Sequence, residues 1–354
     1  MKFDYCIGNP PYQELKVGTS DDPLYNIFLD AAYTVSDKVE MISPARFLFN
    51  AGKTPKEWNE KMLQDPHFKV CHYEPDSNKV FPSLPTPIKG GIAITYRDAK
   101  KNLGAIETFT PYPELNSILQ RVRNRMDRSV SEIVYSPESY KFTSTLYKEH
   151  PELKTMTYVY KGETLPLISK GHDYDLTSNI FDKLFGIIFF DKSVKDGNES
   201  IQILGRMNNS RQRLFIKKSY IAEHDNLYKY KLFFPKSNGS GLFGEPMSDA
   251  EIGIPGEGHT QTFLSIGCFD NRSEVESMRK YVRTKFLRAM LGILKVTQDN
   301  KKSVWKYVPL QDFSDKSDIE WSKSLHEIDE QLYKKYTLSQ EEIKFIESQV
   351  KEMN

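Results

Sequence analysis

Two consecutive prolines behind a short apolar run set the strongest limit on how this chain can fold. Lys2–Gly8 (KFDYCIG) runs straight into Asn9-Pro10-Pro11-Tyr12. Proline lacks the N–H a helix or sheet ladder needs, and it fixes its own φ. The run therefore reads as a buried strand that stops at Gly8. Leu24–Tyr33 (LYNIFLDAAY) follows with helical spacing, placing Leu24, Ile27, Phe28, Ala31 and Ala32 on one face. Lys38–Ser43 (KVEMIS) reads as a second strand, with Ala45–Asn50 opening another element beyond Pro44. Gly90-Gly91 leads into a third strand, Ile92–Tyr96. Strand, helix, strand, loop and strand make an α/β layer, and its pattern fades near Gly104.

From Ala105 to about Asn300 the chain is mixed. Short strand-like runs, Leu184–Phe190, Tyr230–Phe234 and Thr262–Ile266, are separated by loops rich in Gly, Ser and Asn. Ser273–Lys295 reads as one long helix capped by Ser273 and Glu276, and Ser339–Lys351 as a helix capped by Ser339 and Glu342. The expected domains are 1–104, 105–300 and 301–354. No run of 18 apolar residues is present, so no transmembrane helix is expected. The start of the chain lacks a signal-peptide core. Cys6, Cys71 and Cys268 are widely spaced, which argues against a zinc site or disulfide framework and suits a reducing cytoplasm. The 7 His residues form no metal-binding cluster.

At the carboxyl edge of a strand in an α/β sheet, where such folds hold ligands, the four residue types after Gly8 suit one task. The Asn9 side-chain oxygen and the Pro10 carbonyl are two acceptors, and the prolines fix their direction. Together they could hold the exocyclic amine of an adenine with its lone pair aimed at a methyl donor, by positioning alone. Tyr12 could stack on a base drawn out of the duplex. The structural alternative is an Asn-Pro turn ending a strand, with Tyr12 as packing.

FDYCIGNPPYQ resembles motif IV of N6-adenine DNA methyltransferases, the catalytic (Asn/Asp)-Pro-Pro-(Tyr/Phe) motif. LYNIFLDAAY and EMISPARFLFN look like the helix and strand that follow it in Type II restriction-modification methylases, and VFPSLPTPIKGGIAITYRD like a later loop and strand. FFPKSNGSGLFGE, YVRTKFLRAMLGILKVTQDN and YVPLQDF resemble the target recognition domain of that group, and LYKKYTLSQEEIKFIESQVKEM its C-terminal helix. The resemblance implies a partial Rossmann-like methyltransferase sheet followed by an α+β target recognition domain and C-terminal helices. It implies catalysis by Asn9, Pro10, Pro11 and Tyr12 on a flipped adenine, with S-adenosylmethionine as donor. Lys89, Gly90 and Gly91 would wall the target-base pocket; a Gly-Gly turn beside a solvated Lys is an equal reading.

These enzymes hold S-adenosylmethionine on a Phe-x-Gly-x-Gly loop, which in this order precedes motif IV. Eight residues precede Asn9, so the loop is not expected there. Downstream, Asn238-Gly239-Ser240-Gly241 is the one Gly-rich candidate, and Pro246 stands where a cradling helix should propagate. A turn of the recognition domain is the preferred reading. The expected partners are double-stranded DNA and an N-terminal methyltransferase subunit or a nuclease subunit. A non-catalytic DNA-recognition subunit or remnant is the alternative.

The net charge of +1 conceals an uneven distribution. Residues 201–240 carry eight Lys/Arg against two acids, and 271–308 carry ten against three. Residues 309–354 reverse this, six against eleven. Basic stretches are what a phosphate backbone requires. Arg206, Asn208, Asn209, Arg211 and Arg213, then Lys217, Lys236 and Asn238, and Arg283, Lys285 and Arg288 are the DNA-binding candidates, each with a solvated surface group as its alternative. The 21 Phe and 20 Tyr can fill cores or stack on bases. Glu74-Pro75-Asp76-Ser77-Asn78-Lys79 lacks the second acid of a Pro-Asp…(Asp/Glu)-x-Lys nuclease site, so nuclease chemistry is expected outside this chain.

Overall fold

A computed structural model describes residues 3–14, 22–83, 87–160, 162–193 and 199–353. The chain is a mixed α/β protein that divides into two compact units, Met1–Asn116 and Ser117–Asn354. Lys2 and the middle of the VFPSLPTPIKGG segment lie outside the described residues.

The first unit is built on a four-stranded sheet of β1 (Cys6–Gly8), β2 (Lys38–Pro44), β3 (Phe68–Glu74) and β4 (Ile92–Asp98), in the order β1-β2-β4-β3. β1 runs parallel to β2, with Gly8 opposite Met41, and β4 runs antiparallel to both β2 and β3. One sheet face, with Val39, Met41 and Ala93, is buried against Leu29 and Ala32 of α1 (Tyr25–Val35) and against Trp58, Met62 and Leu63 of α2 (Lys56–Gln64). Phe47 and Phe68 complete that core.

The opposite face is differently covered. β1 is short and exposed, not the buried strand expected over Lys2–Gly8: Phe3, Tyr5 and Ile7 are 57%, 43% and 75% exposed. It is an edge strand, paired on one side only among the described residues. Alternation puts these residues on one face, where the Tyr5 hydroxyl donates to Glu40 at 3.2 Å and its ring lies 6.3 Å from Tyr96. α1 is also turned from the expected face. Tyr25, Leu29 and Ala32, at i, i+4 and i+7, are buried, while Ile27 and Phe28 face outward.

Among the described residues the second unit holds two sheets of three or four strands, beside a small two-stranded one of Thr157–Tyr160 and Glu163–Pro166. β5 (Val134–Tyr135), β8 (Tyr230–Pro235), β9 (Glu251–Gly253) and β11 (Phe263–Phe269) form one, ordered β9-β8-β11-β5; β6 (Ser200–Met207), β7 (Ser210–Lys217) and β10 (Glu257–His259) form the other, ordered β7-β6-β10. A core including Tyr140, Phe181, Phe189, Ile203 and Leu214 packs residues from 140 to 227 together. Polar groups inside the unit are satisfied in a chain. The Tyr140 hydroxyl donates to Asn226 at 2.6 Å, Asn226 donates to Ser265 at 2.9 Å, and Ser265 lies 3.2 Å from His259 Nε2. Lys231, fully buried, reaches four carbonyls at 2.9–3.0 Å.

Two expected elements differ. Leu184–Phe190 is not a strand: it ends the short helix α3 (Ile180–Leu184) and turns at Gly186, whose φ is +79°. Ser273–Lys295 is two helices, α4 (Arg272–Arg283) and α5 (Lys285–Gly292), broken at Thr284. The extended Thr284 donates its hydroxyl to Tyr281 O, ending α4, and accepts from Leu287 N, starting α5. The cap of α4 is Asn271 with Glu274, two residues earlier than expected. The last two helices are α6 (Leu325–Lys335) and α7 (Gln340–Gln349), and α7 starts on the Ser339/Glu342 capping box read from sequence.

Candidate functional site

Asn9-Pro10-Pro11-Tyr12 leaves the carboxyl end of β1, and the sheet register shows what lies at the same edge. Gly8 is level with Met41, so the tetrapeptide stands at the height where β2 ends in Pro44. Pro44 in turn lies opposite Ile92, the residue after Gly90-Gly91. Motif and Gly-Gly turn thus share one sheet edge, two strand spacings or about 10 Å apart.

The motif's backbone is fixed while its polar groups are left unspent. Tyr12 O accepts from Leu24 N at 3.1 Å, tying the motif to the start of α1. The Tyr12 ring meets Phe81 edge-on with centroids 6.3 Å apart. Burial pushes the Tyr12 phenol up to about 12, and the neighbouring Asn9 side chain eases it back. The hydroxyl is buried without a hydrogen-bond partner among the described residues. Asn9 is exposed, and Pro10 partly so.

Gly90 and Gly91 are required by the backbone. Their φ values are +87° and +78°, and a Cβ would come within 2.5 Å of Arg46 Cγ or 2.4 Å of Glu74 O respectively. Gly91 O accepts from Ala45 N at 3.0 Å, and Gly90 O from the Tyr73 hydroxyl at 3.3 Å. Lys89 is exposed.

The one Gly-rich donor candidate does not fit S-adenosylmethionine. Gly239 and Gly241 have φ of +68° and +90° and turn their neighbours' N–H groups inward. The resulting cradle is filled by the chain's own Glu245. That carboxylate accepts from Ser240 N at 2.9 Å, Gly241 N at 2.8 Å and Ser240 Oγ at 2.9 Å. Burial opposes its charge, but these bonds hold it below the ordinary carboxylate range. Among the described residues no group of three or more His, Cys, Asp or Glu could hold a metal, and no helix is long and apolar enough to cross a membrane.

The structure sorts the basic candidates sharply. Arg206, Asn209, Arg211 and Lys236 converge on one cleft of about 620 Å³ in the second unit. Asn208, beside them at the tip of the β6–β7 hairpin, is exposed, with its N–H on Asp182 at 3.0 Å. Arg213 pairs with Glu251 at 2.8 Å and Glu257 at 3.3 Å, and Lys217 pairs with Glu149 at 2.8 Å. Arg283 is half-buried, its Nε without a partner.

Three candidates are corrected by burial. The Asn238 side chain accepts from Asn300 at 2.6 Å inside the unit. Lys285 is 12% exposed and pairs with Glu347 at 2.6 Å. Arg288 is 3% exposed; its guanidinium donates to Thr284 O at 3.3 Å and Lys351 O at 2.5 Å. Below it, Asp329 caps α5, accepting from Lys285 N at 2.9 Å and Phe286 N at 2.8 Å, and burial pushes that carboxyl up to about 6. These groups hold the last helices together and are not offered to a phosphate. Asn179, Asp182 and Gln261 also line the cleft. They lie outside the basic stretches, and no charge or spacing in the sequence singles them out.

Residues 1–81 match a family model described as the Eco57I restriction-modification methylase. No curated protein matches the chain. The solved structure of the type IIG restriction endonuclease BpuSI aligns at 10% identity with a TM-score of 0.30, over 94% of this chain and 50% of that one. The chain thus spans half the length of that enzyme. The amino-terminal 81 residues are similar to a restriction-modification methylase.

Proposed function

We propose that this chain carries the catalytic motif and the DNA-reading part of an N6-adenine DNA methyltransferase of a restriction-modification system. The observation that carries the reading is the Asn9–Tyr12 turn. It stands at the carboxyl edge of a partly parallel sheet, pinned through Tyr12 O, with the Asn9 amide open to solvent. In this reading the Asn9 Oδ1 and the Pro10 carbonyl accept the two hydrogens of a flipped adenine's amine, which directs its lone pair outward. Tyr12 and Pro11 bound the base, and Lys89, Gly90 and Gly91 wall the pocket from the neighbouring turn. The domain division at 104 and 300 belongs to the same proposal.

S-adenosylmethionine is the donor in this reading. Its site is not formed by the described residues, because the only Gly-rich cradle is occupied by Glu245. The first sheet supports a second contributor. An open strand edge is ordinarily paired or covered, yet Tyr5 and Ile7 lie exposed on one face and the outer edge of β1 is unpaired among the described residues. A donor-binding α/β segment, on this polypeptide or another, would extend the Rossmann-like sheet beyond β1 and cover that face.

The test is the gene with its neighbouring reading frames, expressed in a host without adenine methylation, with N6-methyladenine read by sequencing. Site-specific methylation that disappears in Asn9→Ala is expected, with DNA binding retained. An unmethylated host overturns the methyltransferase reading and favours a non-catalytic recognition protein. Methylation that persists in Asn9→Ala removes Asn9 from the chemistry.

A further inference from the structure

We infer that the β6–β7 hairpin is a two-stranded ribbon that enters the major groove of double-stranded DNA, where Arg206 and Lys236 hold phosphates and Asn209 and Gln261 read base edges. The inference rests on the proposed function and specifies how its DNA is recognised.

The hairpin is built to project. Met207 pairs with Ser210 across a two-residue turn, Asn208-Asn209, with φ of +48° and +62°. Positive φ at both positions is the tight turn that matches strand twist, and Asn tolerates it. Arg206 and residues 208–211 are exposed. The base is held firmly. Gly205 lies so close to the Phe181 ring that a Cβ would stand 2.5 Å from it, and Leu204 joins Phe233 and Phe263 in a buried cluster. Asp182 grips the turn at Asn208 N.

One of the two charges at the tip has no counter-charge among the described residues. Arg206 and Arg211 are direct cross-strand partners, and like charges in that position destabilise a hairpin. Glu251 relieves Arg211 at 2.8 Å, and Arg211 lies 5.5 Å over the Phe263 ring. Arg206 reaches no carboxylate among the described residues; its guanidinium touches only Asn209, at 3.2 and 3.4 Å. Lys236, across the cleft, is exposed and reaches no carboxylate among the described residues. Two uncompensated cations therefore flank the amides of Asn209 and Gln261, which can donate and accept at once, as base edges demand. Asp182 is the single acid lining the cleft. It would repel a phosphate placed centrally and can accept from a base amine, so phosphates belong at the flanks.

Duplex DNA is favoured over single strands by what the tip lacks. A single-strand site needs aromatic platforms, and Arg206–Arg211 (RMNNSR) has none. A two-stranded ribbon fits the major groove.

The full chain is titrated with a random-sequence 30-base-pair duplex pool, the bound fraction is sequenced, and salt dependence is recorded. Arg206→Ala and Lys236→Ala should weaken binding to every sequence and each lower the log–log salt slope by about 1. Asn209→Gly keeps the turn and should flatten preference at one position by roughly tenfold. Wild-type affinity and preference in all three variants overturn the inference, as does equal competition by single-stranded DNA or no binding of the pool at low salt. Methylation that depends on Asn9 while the hairpin variants still select the same sequences would sink the ribbon and leave the proposed function standing.

Discussion

The two units differ in how the polar groups singled out from the sequence are used. In the first, Asn9 and the phenol of Tyr12 are unspent, and the β1 side of one sheet face is left exposed with Tyr5 and Ile7 on it. In the second, the core polar groups are joined from Tyr140 to His259, and Arg213, Lys217, Lys285 and Arg288 are all committed to partners within the unit. Among the cations that line the cleft, Arg206 and Lys236 reach no carboxylate among the described residues. The contrast teaches that a basic stretch marks composition, whereas a fixed backbone with idle polar groups marks a site. Two further pairs of substitutions can break that distinction.

The largest effect is expected where a cation is structural. Arg288→Ala removes a buried guanidinium and leaves Asp329 as a buried carboxylate without its cationic neighbour. A loss of about 3 kcal/mol is expected. Arg206→Ala should instead be neutral or stabilising by a few tenths of a kcal/mol, since it removes a like-charge cross-strand pair. Urea denaturation of both variants checks this, and equal losses would erase the difference between spent and free cations. Next comes α1. Leu29→Ala empties a fully buried position and should cost about 2–4 kcal/mol. Ile27→Ala, two residues away at 59% exposed, should stay within about 0.5 kcal/mol. A large cost at Ile27 would mean that this face is already covered in the free chain.

Much of the first unit was legible because its signals are local. The prolines end β1 at Gly8, and Gly90-Gly91 sits where positive φ is needed. The face of α1 was not legible, because two apolar stripes run along it, and which one is buried depends on the distant Met41 and Trp58. Thr284 was hidden inside a run with good helical periodicity. Its break is fixed by Asp329, 45 residues later, which takes the N–H groups of Lys285 and Phe286. Burial of Lys285 and Arg288 has the same non-local origin. The hairpin candidates were half legible: sequence gave the Arg and Asn types, but the choice between Arg206 and Arg213 depends on Glu251 and Glu257. Asn179 and Gln261 carry no local mark at all.

The smallest effect tests the closed interior of the second unit through pH. His259 is wholly buried, its Nδ1 3.0 Å from Thr260 O and its Nε2 facing Ser265. Burial pushes its imidazole down to about 3, reinforced by the nearby Lys231. The folded state therefore keeps His259 neutral where the unfolded chain, near pH 6.5, begins to take up a proton. Between those values the unfolded state binds more protons, so stability falls as pH drops from 6.5, by at most about 1.4 kcal/mol per pH unit for this group. Asp329 acts oppositely. Its raised value means the folded state binds more protons between about 6 and the ordinary carboxylate range, so it adds stability as pH falls. The net slope is a difference of the two, and the informative quantity is wild type minus His259→Gln, which leaves Asp329 in place. Denaturation at pH 7.0, 6.0 and 5.0 should show the variant destabilised at pH 7.0 but with a shallower loss toward pH 5.0. Parallel slopes would mean that water reaches His259, and that the interior of the second unit is no more closed than the exposed β1 side of the first.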